Sequence, residues 1–474
     1  MTTKPIRPDA PAADPAARTG RPGGLLLLGL SLGYFLVMLD TTIITVALPA
    51  IGADLGGGLA ALQWVSNGYT LTFAALLLTA GAWSDRYGGR RVFLLGLWCF
   101  AALSGVSALA GSIGVLIGLR ALLGIAGALL VPTSLALIAN TYTVPAERAK
   151  AMGVWAALSG TGLVAGPVVG GLLTDAFGWQ AIFLVNVPFA LVSIAITIRH
   201  APETARKTGK GTDVTGQVSA VAALAGLTYG LVQSGPLGWT APEVLVSIAV
   251  FVVATAVFVL TQRRQETERF SPMLPPRLFS SRTFSLGLVA GAIVNFGLSG
   301  VLFVLSLYFQ GTRHFSPSVA GLAFLPLTIP TAFNPIFTGR LVARVGPKVP
   351  AIAGFLMMAA GTLVQALFDG DSVAETVIAL AGLALLGFGV SFAIPSLLTA
   401  VVGSVPKELA GIGSGALNSA RQTGAVLGVA VLGTLLSSTT ASTSGTRTAL
   451  VVAAALLVIG AVIAASALER KKTA

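Results

Sequence analysis

The chain has 474 residues, of which 55% are hydrophobic and only 10% charged, against about 25% charged in soluble domains. With a mean hydropathy of +0.88, that balance excludes a soluble globular enzyme and a disordered chain, and the single cysteine, Cys99, excludes a disulfide scaffold. The formal charge of +12 fits basic loops on one side of a bilayer better than a nucleic-acid partner.

Residues 1–22, rich in Ala, Pro and Arg, read as a disordered cytoplasmic tail. The apolar stretch that follows is too long for a signal peptide and carries Asp40. Apolar stretches of about 20 residues then recur, each able to span a bilayer core of ~30 Å. They fall at 24–50, 61–82, 91–111, 113–139, 150–174, 179–199, 214–234, 243–262, 283–309, 317–341, 348–368, 374–401, 408–436 and 447–467. The expected class is an all-α polytopic membrane protein with fourteen transmembrane helices. The short alternating segments of a β-barrel are absent.

The basic residues give an independent reading of topology. With the N-terminus in the cytoplasm, 25 of the 29 fall in tails or loops on the inside. Arg313 and Arg447 fall outside, and Arg120 and Arg421 lie within helices. Both termini are therefore expected on the cytoplasmic side of a multi-pass cell-membrane protein. Arg outnumbers Lys 21 to 8, which hints at a GC-rich bacterial genome and a bacterial plasma membrane.

GAWSDRYGGRR, from Gly81, and GRLVARVGPK, from Gly339, share the pattern G-x-x-x-x-R-x-G at corresponding inner helix ends. Related loops suggest two related halves. The expected division is a tail at 1–22, a six-helix bundle at 23–200, loops with two inserted helices at 201–282, and a second six-helix bundle with a short tail at 283–474.

Of the seventeen acidic residues, Asp40 alone is expected deep in a helix, about 5 Å outward of its middle by the helical rise. A lone carboxylate at that depth is a functional candidate; the bland alternative is a neutral Asp bonded to nearby backbone. Arg120, in segment 113–139, falls at a matching depth. Burial favours the neutral carboxyl and a nearby guanidinium the charged one, so a switchable acid or a purely structural pair both fit.

Gly162, Gly166 and Gly170 recur at i, i+4 and i+8 with Pro167 and Gly171 beside them, a face for close helix contact. Gly81, Asp85, Arg86, Gly88 and Arg90 mark a tight charged turn that could latch two helices, or be simply a positive-inside turn. Segment 408–436 places Asn418, Arg421 and Gln422 near mid-membrane, for substrate contact or for bonding to carbonyls. Asn295 and Gln233 are weaker polar candidates. Tyr69, Phe296 and Phe303 fit packing first and an apolar drug pocket second.

Enzyme signatures are thin. His200 and His314 stand far apart, no metal-ligand cluster is evident, and there is no G-x-x-x-x-G-K-[ST] phosphate loop. The expectation is a non-enzyme with no cofactor beyond a coupling proton, working as a monomer in the lipid bilayer.

These strings resemble the major facilitator superfamily, and within it the fourteen-helix drug:proton antiporters. GAWSDRYGGRR is similar to the loop between the family's second and third helices. LIGLRALLGIAGALLVP resembles its fourth-helix motif, GLVAGPVVGG its fifth-helix antiporter motif, and LDTTIITVALP the first-helix motif of the fourteen-helix group. The resemblance covers about residues 25–467. It implies the major facilitator fold, alternating access between two bundles, proton coupling through Asp40 and Arg120, and a loop at 81–91 that stabilises the outward-facing state. The expected function is proton-coupled export of amphipathic small molecules, including drugs or antibiotics. The competing reading keeps the fold and imports a nutrient with protons.

Overall fold

Backbone amides in lipid must be satisfied within their own segment, and the apolar runs of this chain do so as helices. The computed structural model describes residues 23–203, 213–264, 273–368, 370, 372–437 and 443–468. These contain helices and no strand. The expected tail 1–22 lies outside the described residues, as do Arg206, Lys207, Lys210, Arg269 and the final cluster Arg470, Lys471 and Lys472.

Helices α1 (Gly24–Leu55), α2 (Leu59–Tyr87), α3 (Gly89–Ser107), α4 (Ile113–Thr141), α5 (Pro145–Phe177), α6 (Ala181–Leu184) and α7 (Asn186–His200) come first. Next stand α8 (Val214–Leu237) and α9 (Pro242–Arg264). Then follow α10 (Arg282–Leu307), α11 (Pro317–Ala323), α12 (Leu325–Phe333), α13 (Pro335–Val345), α14 (Lys348–Leu367), α15 (Val373–Gly403), α16 (Ala410–Ser437) and α17 (Thr443–Ala467). Their ends follow local chemistry. Ser112 Oγ accepts from Val115 N at 3.4 Å and caps α4. The sharp turn between α2 and α3 runs through Gly88 at φ +94°, a left-handed conformation that suits glycine.

Twelve helical stretches among the described residues are long and apolar enough to cross a membrane. Fourteen were expected. The two that differ are α2 and the stretch from α11 to α13. The first carries Gln63, Ser66, Asn67, Asp85 and Arg86 along its length. The second breaks at Phe324 and Asn334, around Pro326, Pro330 and Pro335, into three pieces each too short to cross. Helix α1 also runs five residues beyond the expected end, to Leu55, so Asp40 sits at its midpoint and not toward one end.

Buried apolar side chains form two large clusters. One draws on α1 to α7, with Phe93, Phe100 and Phe183 at its centre. The other draws on α10 to α17, with Phe284, Phe355 and Leu457. They interlock at the seam: Val46 of α1 belongs to the second, Phe303 of α10 and Val429 of α16 to the first. Helices α8 and α9 pack on each other, and α8 also packs against α2 and α16. The outward faces are apolar, with Trp98, Val246, Val253 and Val462 exposed, whereas Ser104, Asn186 and Ser193 are buried. That inversion of a soluble protein's pattern suits a lipid solvent.

Hydrogen bonds cross the seam at the end opposite the arginine-rich α2–α3 turn. Gln63 Nε2 donates to the Val429 and Ala430 carbonyls at 2.9 and 2.8 Å. Ser306 Oγ donates to Thr45 O at 2.7 Å and Gln310 Nε2 to Val46 O at 2.9 Å. Ser318 N donates to Asp175 Oδ2 at 3.1 Å.

Candidate functional site

Asp40 on α1 and Arg120 on α4 are both fully buried and meet as an ion pair, Arg120 Nη1 donating to Asp40 Oδ2. A buried pair is held only when its remaining hydrogen-bonding capacity is met. Arg120 Nε donates to the Val65 carbonyl of α2 at 3.2 Å. Its guanidinium lies 4.6 Å from the centroid of the Tyr69 ring, a cation–π contact. On the other side, Asn186 Nδ2 donates to Asp40 Oδ1 at 3.1 Å and lies 3.5 Å from Ser104 Oγ. Four helices thus converge on one carboxylate: α1 supplies it, α4 the cation, α2 the ring and carbonyl, and α7 the amide.

Glycines of α4 make room for this. A Cβ on Gly127 would come within 2.7 Å of the Tyr69 hydroxyl oxygen, and one on Gly124 within 2.9 Å of the Tyr69 backbone carbon. The small residues let α4 approach α2 closely enough for Arg120 to lie over the ring.

Gly162, Gly166 and Gly170 face α1. Added Cβ atoms on Gly162 and Gly170 would meet the carbonyl oxygens of Phe35 and Ile43 at 2.6 and 2.7 Å, and one on Gly166 would strike the Thr42 side chain. Gly171 points the other way, across the seam, where a Cβ would lie 2.9 Å from the Pro317 carbonyl carbon. Gly321 of α11 reciprocates against the Pro167 carbonyl carbon at 3.0 Å. The string GLVAGPVVGG thus packs α5 against α1 on one face and α11 on the other.

In the turn at 81–91, Asp85 and Arg86 occupy the last turn of α2, with the Arg86 guanidinium 5.4 Å from the Tyr87 ring centroid. Gly81 lies near Pro132 of α4. Arg90 Nη1 pairs with Glu203 at 2.7 Å, and its Nη2 donates to Ile198 O at 2.7 Å. Arg91 Nε stands 3.7 Å from Glu203. The turn is thereby tied to the end of α7.

The remaining candidates separate. Arg421 Nε donates to Asn295 Oδ1 at 3.2 Å, joining α16 to α10. Asn418 is half-buried one turn away and Gln422 is buried. Tyr69 belongs to the Asp40–Arg120 site and has no exposed surface for a drug pocket. Phe303 is wholly buried and Phe296 nearly so. Gln233, half-buried on α8, is not brought to the Arg421–Asn295 pair by any observed bond.

Some residues of the site escaped the sequence reading. Asn186 is uncharged, and a search for charges passes over it, although it is the one carboxamide in the interior of segment 179–199, Gln180 standing at its edge. Glu203 lies just past that segment. Tyr34 and Trp155 stack with ring centroids 4.3 Å apart at 20°, and nothing in their spacing of 121 positions signals it. Among the described residues no group of three or more His, Cys, Asp or Glu is placed to hold a metal.

The family model described as Major Facilitator Superfamily matches residues 30–429. The multidrug resistance protein Stp of Mycobacterium tuberculosis (strain CDC 1551 / Oshkosh) is 34% identical over 412 residues, 87% of this chain and 75% of that protein. The tetracenomycin C resistance and export protein of Streptomyces glaucescens is 35% identical over 420 residues, 88% of this chain and 77% of that protein. Among solved structures, a crystal structure of the peptide transporter POT superposes with a TM-score of 0.71 over 95% of each chain at 14% identity, a likeness of fold alone.

Proposed function

Since the chain belongs to the major facilitator superfamily of membrane transporters, we propose that it is a proton-coupled antiporter that exports amphipathic small molecules by alternating access. One observation carries the coupling: a buried carboxylate deep within a helix, Asp40, held between a cation and an amide at the midpoint of α1. An acid there can exchange a proton only if the helices around it move. Relatives named for drug resistance and export support the direction of transport.

In this reading α1 to α7 and α10 to α17 are the two moving bundles, and α8 and α9 are inserted between them. The polar α2 and the broken α11–α13 stretch complete fourteen crossings, both buttressed by neighbouring protein. Both termini lie in the cytoplasm. The hydrogen bonds at Gln63, Ser306, Gln310 and Ser318 then close the outer end of the seam. Substrate enters from the cytoplasm while Asp40 is charged. The bundles rock, the outer bonds part, Asp40 gains a proton and gives up its ion pair, and substrate leaves. The protonated carrier returns. The turn at 81–91, pinned to α7 through Arg90, stabilises one end state and yields in the other.

The test is flux in proteoliposomes with an acid lumen and a luminal pH dye. Adding substrate outside should drive protons out and raise luminal pH. A fall in luminal pH would identify a symporter. Substrate-driven proton movement that persists in Asp40→Asn protein would remove Asp40 from the coupling step.

A further inference from the structure

A cavity of about 720 Å³ lies beside the α2–α3 turn, with walls from α2, α3 and α4 on one side and from α8 on the other. Its size is that of a small-molecule site. Val92 and Leu129 form its floor, buried with Ala80 and packed by Trp83 in a small apolar cluster apart from the two large ones. Gln217 belongs to the α8 wall. Its Nε2 donates to Ala75 O at 2.8 Å and its Oε1 accepts from Thr79 Oγ1, so its polar atoms are already engaged. Arg86 and Arg91 also line the cavity, and among the described residues no carboxylate does.

Charge and apolar surface are separated along the helix axes. Arg86 and Tyr87 end α2, and Arg91 lies in the first turn of α3. Trp83 and Leu95 stand about one turn, ~5 Å, further into the membrane-spanning part of these helices. Leu95 is more than half exposed, as is Trp98 beyond it, so the apolar end of the cavity opens sideways toward lipid. The acids of the turn do not match its cations. Arg86, Arg90 and Arg91 stand against Asp85 and Glu203, and Glu203 is shared between Arg90 at 2.7 Å and Arg91 at 3.7 Å. A soluble anion has no use for the apolar floor, and a purely apolar guest gains nothing from the arginines. The two together fit a molecule with an anionic head at the helix ends and an apolar tail along the helices.

We propose that this cavity holds one anionic phospholipid, its phosphate bound by Arg86 and Arg91 and one acyl chain laid over Val92, Leu95 and Leu129. Guanidinium groups suit a phosphate through charge-assisted, bidentate bonds. Basic pockets between membrane helices take such head groups, and Trp and Tyr favour the same depth. Because α8 forms one wall and α2 and α3 the other, the bound lipid ties the inserted helix pair to the first bundle. The leaflet that supplies it rests on the topology proposed above, which makes it the cytoplasmic one; the binding does not rest on that reading.

The test is native mass spectrometry of the full chain in detergent, offered phosphatidylglycerol and phosphatidylcholine of the same chain length at equal concentration. Phosphatidylglycerol should be preferred as the first bound lipid by at least about tenfold, as expected for two arginines near one head group. Arg86→Gln combined with Arg91→Gln should bring the preference to near one, and Arg91→Gln alone to an intermediate value. Leu95→Asn should weaken both lipids together. Arg344→Gln, in the last turn of α13 at the corresponding turn of the second half and outside the cavity, should leave the preference unchanged. If the double variant does not fold, the wild-type preference and the single Arg91 and Arg344 variants still decide. A wild-type preference near one overturns the proposal, as does a preference that Arg344→Gln lowers as far as Arg91→Gln. Displacement of the lipid by inorganic phosphate at the lipid's own concentration would give the site to a soluble anion and overturn it as well. Lipid preference without substrate-driven proton flux would defeat the export reading and leave this site. Flux without lipid preference would do the reverse.

Discussion

Asn186 Nδ2 reaches Asp40 Oδ1 at 3.1 Å while Arg120 holds the other carboxylate oxygen, so the acid is gripped from two sides by helices α7 and α4. One grip is charged and the other neutral. They respond differently to loss of the carboxylate charge. The ion pair loses its attraction when Asp40 is protonated, whereas the amide can keep a hydrogen bond to the neutral carboxyl. Arg120 still donates to Val65 O and still lies against Tyr69. The cation therefore has somewhere to remain when its anion is neutralised, as the proposed proton-coupled cycle requires.

Asp40→Asn should be destabilising by about 3–5 kcal/mol, because it leaves Arg120 buried without a counter-charge. Adding Arg120→Gln should recover much of that loss, since removing both charges also removes their desolvation cost. Neither variant should show substrate-driven proton movement. Thermal unfolding in detergent checks the first pair of statements and the pH-dye flux assay the last. Stability restored together with restored proton flux would make the pair structural only.

The two faces of the α5 glycine string should separate in experiment. Gly166 meets the Thr42 side chain within one side of the seam. Gly166→Ala should therefore lower the unfolding temperature by overpacking, at about 1–3 kcal/mol. Gly171 meets the Pro317 backbone across the seam. Gly171→Ala should leave the α1–α5 packing alone and shift the protein away from the closed arrangement. A single cysteine at Ser306, whose hydroxyl bonds Thr45 O in the closed seam, should then react faster with a membrane-impermeant thiol reagent in a Cys99→Ser background. An unchanged reaction rate would show that the glycine pair does not hold the seam.

Glu203→Gln and Arg90→Ala should differ. The Arg90–Glu203 pair is surface-exposed on the Glu203 side, so losing the acid should cost under about 1 kcal/mol, and less in high salt. Arg90→Ala removes the bond to Ile198 O at 2.7 Å as well and should cost more, with little dependence on salt. Unfolding temperatures at low and high ionic strength compare the two. Equal effects would mean that the carbonyl bond contributes nothing.

What the sequence made legible follows from the solvent. Lipid requires long apolar runs, and twelve of the fourteen expected segments coincide with helical stretches long and apolar enough to cross a membrane, because about 20 apolar residues have little else to form. The depth match of Asp40 and Arg120 was readable from helical rise alone, and the structure brings the two together. The breaks at Phe324 and Asn334 were written in Pro326, Pro330 and Pro335, but hydropathy averages over them. Asn186 was invisible to a search for charge. The Tyr34–Trp155 stack draws on α1 and α5 and the Arg421–Asn295 bond on α16 and α10, and neither pair shares a periodicity. Local pattern fixes what each helix is; which faces meet across a seam depends on packing among many helices, and that carries the site's specificity.

Transport should be electrogenic to a degree set by substrate charge. Asp40 is the acid at mid-membrane depth among the described helices, which makes one proton per turnover the expected stoichiometry. A monocation leaving as one proton enters moves no net charge. A neutral compound moves one, and a monoanion moves two. Each charge crossing the membrane is worth about 2.3 kcal/mol per 100 mV, so anion export would be driven about twice as steeply by the potential as export of its neutral amide. Proteoliposomes clamped at stepped potassium–valinomycin potentials, at equal pH on both sides, measure this directly. The rate for anthraquinone-2-carboxylate should rise with the inward-positive driving force more steeply than that for its carboxamide. A slope ratio of about three to two, as two protons per turnover would give, would refute the single-proton scheme.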